Sequence, residues 1–267
     1  MAVVAFAARP APVETAVRLP VGMAQLSPEG LSEQWVLRFC GDRHWALIAK
    51  ALGQREAVFH AADGRPVYAA FCATSLRLLP PSRLLLGRQL EIRSSLFAVS
   101  DTRTGSRHRI AVDGAAIAEL SMISTFVSHD ASGCNTRIHR ASVLGEMHLP
   151  SAEAGLVALD GLARETARSL RGTDCAGAPE IHAERPVPSL DFNAVGLLYF
   201  PTFSRIAETA AFAHTGQCAP ILGREVFYRG NINPGETVHV FDRGTTMLMA
   251  RQDGAPIALV RTLTAPA

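Results

Sequence analysis

Asp191-Phe192-Asn193-Ala194-Val195-Gly196-Leu197-Leu198-Tyr199-Phe200-Pro201, running on through Thr202-Phe203-Ser204-Arg205-Ile206-Ala207-Glu208-Thr209-Ala210, is the stretch on which the reading of this chain turns. A polar Asp-x-Asn turn and a glycine lead into an apolar run with helical spacing. Asp and Asn favour turns because their side chains bond the nearby backbone. A helix starting behind such a turn aims N–H groups, and the positive end of its dipole, at whatever lies in front. A carbonyl oxygen gaining negative charge suits that mouth. Val195, Gly196 and Leu197 are therefore expected to touch a substrate, the glycine serving either close backbone approach or packing. Asp191 and Asn193 read either as an Asx turn and helix cap or as groups that orient a reacting carbonyl or a water.

The 267 residues allow one large domain or two of ordinary size. Hydrophobic residues make up 48% and charged residues 19%, which favours a substantial core over global disorder. A formal net charge of +2 makes no case for nucleic acid, and leaves a local basic patch for an acidic partner open. Lys50 is the only lysine, so Schiff-base chemistry has no good candidate. Cys40, Cys72, Cys134, Cys175 and Cys218 are widely spaced and form no C-x-x-C pair. Neither a metal site nor a disulfide framework is expected, and a reducing cytoplasm is the default. Met1 to Ala8 is apolar but lacks a basic start and is broken by Arg9-Pro10, which predicts a short loose leader. No run approaches the ~18 apolar residues of a membrane helix, so no membrane partner is expected.

The chain also echoes itself. Pro20-Val21 and Gly30-Leu31 lie over Pro186-Val187 and Gly196-Leu197 at a constant spacing. Gly87-Arg88 echoes Gly223-Arg224, and Asp113-Gly114-Ala115-Ala116-Ile117-Ala118 echoes Asp253-Gly254-Ala255-Pro256-Ile257-Ala258. Their shared order indicates duplication of one supersecondary unit, with about 30 extra residues in the first copy between its helix and the Gly87 strand. The expected organisation is a first unit over 13–130, a connecting loop and helix over 131–180, and a second unit over 181–267.

Each unit reads as an extended segment, a helix and several strands. The first helix is expected from Ser32 to Leu52, on the stripe Trp35, Val36, Phe39, Trp45, Ile48 and Ala49, with a bend possible at Asp42-Arg43-His44 and Gly53 ending it. Gln89 to Val99 and Ala116 to Val127 read as strands around the Asp113-Gly114 hairpin. The second helix is expected over Leu197 to Ala213, followed by strands Val226 to Ile232, Thr237 to Phe241, Thr245 to Arg251 and Ile257 to Thr264. Between the copies, Ser128 to Ser151 reads as loop, Ser151 caps a helix that ends at Gly172, and Thr173 to Pro179 is a turn-rich connection. A helix against an antiparallel sheet is an α+β arrangement.

Pieces of both copies carry a family resemblance. Gly30-Leu31-Ser32-Glu33-Gln34-Trp35 with Gly41-Asp42-Arg43-His44-Trp45, and Asp191-Phe192-Asn193 with Gly196-Leu197-Leu198-Tyr199-Phe200, resemble the double-hot-dog proteins of polyketide biosynthesis, in particular the leinamycin-type bifunctional acyltransferase/decarboxylase family. The likeness runs from about Val17 to Leu263. It implies a double hot-dog fold of the α+β class and a transferase/lyase activity. Such enzymes take methylmalonyl from coenzyme A, decarboxylate it and deliver propionyl to an acyl carrier protein through an acyl-tyrosine. It implies no cofactor beyond the coenzyme A and phosphopantetheine thioesters that are substrates. Acyl-CoA and acyl carrier protein are the implied partners, and a homodimer is expected because hot-dog units pair. The matching nucleophile is Tyr68, in Pro66-Val67-Tyr68-Ala69-Ala70-Phe71.

Each of these residues has a plainer role to set beside the catalytic one. A phenol with pKa near ~10 is a weak nucleophile unless its surroundings favour the anion, and a strand tyrosine commonly just packs. Tyr199 reads as core. Ser32 reads as an N-cap and, with Glu33, as a substrate contact at the start of the first helix. His44 is either a satisfied helical histidine or a base. The group Arg103, Arg107, His108 and Arg109 is either a solvated hairpin tip or a dock for an acidic carrier protein or coenzyme A phosphates. Two other functions stay open: a thioesterase or dehydratase-like hot-dog enzyme using Asp191 or His44, and a non-catalytic protein that binds acyl carriers.

Overall fold

The computed structural model describes residues 12–79, 85–172, 177–217 and 220–264. The expected leader, Cys175 and Cys218 lie outside them, as does most of the Thr173–Pro179 connection.

The first half runs β1 (Val13–Pro20), α1 (Glu33–Ala51), β2 (Pro66–Leu78), β3 (Gln89–Ser100), β4 (Arg103–Val112) and β5 (Ala115–Ser128). The connection carries α2 (Ala154–Ser169). The second half runs β6 (Glu180–Glu184), a helical turn Pro188–Asp191, α3 (Phe200–Thr215), β7 (Ile221–Tyr228), β8 (Val238–Asp242), β9 (Met247–Arg251) and β10 (Pro256–Thr264). All ten strands lie in one antiparallel sheet, in the order β1-β3-β4-β5-β2-β7-β10-β9-β8-β6. Each half therefore has the same path, with its first strand outermost and its second strand at the centre. The β2–β7 pair, from Arg77 opposite Gly223 to Ala73 opposite Phe227, joins them.

Helix α1 forms where the stripe predicts it. Ser32 Oγ accepts the Trp35 N–H at 3.3 Å, which caps one of the four N–H groups a helix start leaves unpaired. Val36, Leu37, Cys40, His44, Leu47 and Ile48 form the buried face. Gly41 is also on it, because a Cβ there would stand 2.8 Å from the Phe200 ring of the other half. The Asp113-Gly114 and Asp253-Gly254 turns close the β4–β5 and β9–β10 hairpins, as their shared sequence predicts.

Even-numbered residues of β3 and β5, such as Ile92, Leu96, Leu120 and Met122, pack under α1, while Phe97 and Ile123 pack against Leu156 and Leu159 of α2 on the other face. The middle of the sheet is thus covered on both sides. Helix α3 buries Phe203, Ile206, Ala207 and Ala210 against Val226, Val240, Met249 and Val260. At about 25 cal/mol per Å² of apolar surface removed from water, these faces are the main force holding the helices in place.

Several expectations change. Gly223 lies on β7, whose place in its half is that of β2 rather than of the strand after Gly87. Tyr68 is accordingly on a strand with a counterpart in the second copy, in the part of it that runs past the β2–β7 pairing; the first copy is longer because its strands and its connection from α1 to β2 are longer. A two-residue match is too short to hold register against that difference. The second helix begins at Phe200, since the residues from Asp191 to Tyr199 spend their backbone groups on a loop of their own. Helix α2 starts after Glu153, and no side chain caps it. No described helix is long and apolar enough to cross a membrane.

Candidate active site

The β2–β7 pairing stops at Ala73, yet β2 continues back to Pro66, where only the short strand Phe59–His60 rejoins that edge. Residues 68–72 are left without a strand neighbour on one side, and Cys72 is a bulge against β5. The sheet opens there into a cleft of about 720 Å³ lined by both halves. Trp45, Phe71, Tyr199 and Phe200 form an aromatic wall, with Phe71 and Phe200 centroids 4.4 Å apart and Trp45 crossing Phe200 edge-on at 6.2 Å. Trp45 is pinned because its indole N–H donates to the Ala69 carbonyl at 2.9 Å. Such a wall suits an acyl chain.

Tyr68 and Asn193, Val195 and Leu197 all line this cleft, so residues expected from opposite copies do meet. The Tyr68 hydroxyl has no hydrogen-bond partner among the described residues. Its ring lies edge-on to His129 at 5.7 Å. His129 Nε2 is 2.9 Å from Asn135 Oδ1, and Asn135 Nδ2 donates to the carbonyls of Gly196 at 2.6 Å and Ile232 at 2.8 Å. Those two donations identify the Asn135 amide nitrogen, so His129 carries its proton on Nε2. Asn135 is buried and links the surroundings of Tyr68 to the loop of the other half.

The loop itself differs from the expected helix mouth. Asn193 Oδ1 accepts the N–H groups of Val195 at 3.2 Å and Leu197 at 3.0 Å, and the Asn193 carbonyl accepts that of Gly196 at 2.9 Å. Leu198 donates to Asn231 Oδ1 at 2.9 Å. The N–H groups expected to hold a carbonyl oxygen are therefore engaged inside the loop. Gly196 adopts φ +79°, the left-handed backbone that glycine tolerates best, and a Cβ there would meet no protein atom, so its backbone conformation rather than packing accounts for it. Two N–H donors on Oδ1 orient the Asn193 amide and leave its Nδ2 without an acceptor among the described residues. That amide is a free polar donor on a residue that lines the cleft.

Asp191 does not line the cleft. It is buried, with Oδ2 accepting the Val187 N–H at 2.8 Å and Oδ1 paired with Arg205 at 3.0 Å. His44 is wholly buried between Ser106 Oγ and Ser124 Oγ, each at 2.7 Å, in a network that continues through Ser106 to His108 and Ser94. Burial, with neighbouring His108 adding to it, lowers the His44 pKa to about 3, so it stays neutral, and it does not line the cleft. Ser32 is the N-cap of α1 and Glu33 pairs with buried Arg224 at 2.9 Å, so neither reaches the cleft. Burial raises the Glu33 carboxyl, against the lowering effect of Arg224. The arginine group is largely engaged: Arg103 pairs with Asp160, Arg107 with Glu119 and Glu153, and His108 is buried, which leaves Arg109 exposed.

Sequence reasoning passed over Asp42 and Tyr199 as site residues. Asp42 lies on the cleft rim with no hydrogen bond or ion pair among the described residues, and partial burial raises its carboxyl. The Tyr199 phenol is pushed up to about 12 by burial and by Asp42. The Tyr228 phenol is pushed up further by burial and bonds Thr74 at 3.1 Å. No group of three or more His, Cys, Asp or Glu residues among those described could hold a metal ion.

No family model and no curated protein matches the chain. Among solved structures it is similar to the 12:0-ACP thioesterase from Umbellularia californica, with 12% identity, a TM-score of 0.64, and 96% of this chain and 98% of that one covered. It is also similar to an acyl-ACP thioesterase from Bacteroides thetaiotaomicron, with 10% identity, a TM-score of 0.65, and 94% and 98% covered. The fold is a double hot dog. At such identity the likeness carries the fold alone. In this double hot dog the cleft sits at the seam of the two units, where Gly41 lets α1 approach Phe200 and the Asn193 loop closes one wall.

Proposed function

We propose that this chain is an acyl-thioester enzyme that binds the acyl group of an acyl-CoA or acyl carrier protein in the seam cleft and transfers it to Tyr68. The observation that carries this reading is that the free Tyr68 hydroxyl and the unengaged Asn193 amide line one apolar cleft, while Asp191 and His44 are tied up elsewhere. The Tyr68 oxygen attacks the thioester carbonyl, the C–S bond breaks, and the departing pantetheine sulfur takes up the phenol proton. Asn193 Nδ2–H stabilises the oxyanion; one such donor contributes ~3–4 kcal/mol. With a malonyl-type group, loss of carbon dioxide leaves an enolate that the same donor stabilises and that a proton then quenches. The apolar aromatic wall favours that loss by withholding water from the carboxylate. Transfer of the acyl group from Tyr68 to a carrier thiol completes the decarboxylating acyltransferase cycle that the leinamycin-type resemblance implies.

A second reading has water release the acyl group as free acid, and the whole-chain likeness to two acyl-ACP thioesterases favours it. Mass spectrometry of protein mixed with methylmalonyl-CoA and simple acyl-CoAs, with and without carrier protein, separates the two. Acyl-carrier protein with carbon dioxide supports transfer, and free acid supports hydrolysis. An unmodified Tyr68 with full turnover by Tyr68→Phe refutes the nucleophile. Carrier binding without turnover of any substrate refutes the enzyme.

A further inference from the structure

Arg140, Arg229 and Arg251 line the same cleft as Tyr68. Arg229 and Arg251, with Thr136 and Gly230, also line an adjoining hollow of about 620 Å³, so they form the rim where the two meet. Arg229 is exposed and spends one N–H on the Ala167 carbonyl at 3.2 Å. Arg140 is exposed and its side chain has no hydrogen bond or ion pair among the described residues. Arg251 pairs with Asp253 at 2.6 Å and also feels Glu236, whose oxygens accept from Asn233 at 2.8 and 3.0 Å. No acid pairs with Arg140 or Arg229 among the described residues. Arg140 and Arg229 thus bring guanidinium groups without an acidic partner to the lining of a largely apolar cleft, and these call for an anion on the entering molecule.

We infer that this rim is a phosphate subsite, which holds the 4′-phosphate of the pantetheine arm while the arm runs inward and presents its thioester to Tyr68. Guanidinium groups offer planar, paired N–H donors that match phosphate oxygens, and a phosphate has no other suitable partner along the aromatic wall. The adjoining hollow then receives what the phosphate is attached to. The inference rests on the thioester reading of the cleft, and it replaces the Arg103–Arg109 group as the dock for the carrier.

Calorimetric titration of the full chain with pantetheine and with 4′-phosphopantetheine tests it, without requiring turnover. The phosphorylated arm should bind roughly tenfold more tightly or better, and Arg229→Gln with Arg140→Gln should bring that ratio close to one. Arg229→Lys with Arg140→Lys should instead retain part of it. Equal binding of the two arms by the unaltered protein overturns the subsite, as does a ratio that survives both substitutions. Coenzyme A and holo carrier protein form the second arm of the experiment. They share the 4′-phosphate and should weaken together; loss confined to coenzyme A overturns the assignment, because its nucleotide phosphates would then be what the arginines read. Thioester turnover measured alongside separates subsite from reaction: turnover without a phosphate preference sinks only the subsite, and a preference without turnover sinks only the proposed reaction.

Discussion

Acidification from pH 7 to pH 5 should destabilise this protein by about 4 kcal/mol through two histidines. His44 and His108 are fully buried and share Ser106, and each is held near a pKa of about 3 against an ordinary value of 6.5. Burial is the chief cause, because the charged imidazolium loses its hydration and finds only hydroxyl groups. The folded state therefore binds fewer protons than the unfolded one. The stabilising contribution is complete above pH 6.5 and falls as pH drops from 6.5 towards 3. At pH 5 the shortfall is about 1.5 units per histidine, or about 2 kcal/mol at about 1.4 kcal/mol per unit. Glu33 acts in the opposite sense, since its raised carboxyl favours the folded state as pH falls. Comparison with His108→Gln isolates the histidine effect: the change in urea-unfolding free energy between pH 7 and 5 should shrink by about half. A flat or rising stability across this window, or an imidazole resonance of His44 that titrates near 6.5 in the folded protein, would refute the reasoning and reopen His44 as a base.

Arg224→Met should cost about 3–5 kcal/mol in unfolding free energy, because it leaves Glu33 buried and unpaired at the contact of α1 with α3 and β7; adding Glu33→Gln should recover part of that, and a loss under 1 kcal/mol would show the pair to be idle. Asn193→Asp removes the free amide but keeps the oxygen that binds Val195 and Leu197, so kcat should fall about 10²- to 10³-fold with little change in melting temperature; unchanged kcat in steady-state assays would remove Asn193 from the oxyanion role.

The repeated Asp-Gly hairpins and the first helix were legible because their signals are local. An Asp-Gly pair needs only its own φ preferences to turn, and the Ser32-to-Leu52 stripe states its period within one segment. The same locality explains the failures. Gly87-Arg88 and Gly223-Arg224 are alike as dipeptides but sit at different places in the two halves, which only strand order reveals. Asp191 reads in sequence either as a turn and cap or as an orienting group; Arg205, in the helix that follows, pairs with it away from the cleft.

From its residues alone the chain determines two related α+β units with an Asp-x-Asn turn before the second helix, because periodicity, turn chemistry and repetition act over short spans; the double hot dog was an expectation from family resemblance. Tertiary structure decided which polar groups are free to react. His44 meets serines from β4 and β5, Glu33 meets an arginine from the other half, and the expected backbone donors meet Asn193 itself. Tyr68, the Asn193 amide and the rim arginines are brought together only where β2 and β7 part. Burial and hydrogen bonding across the seam decide which of these groups keep free donors, since a side chain's reactivity depends on the partners that folding gives it or withholds.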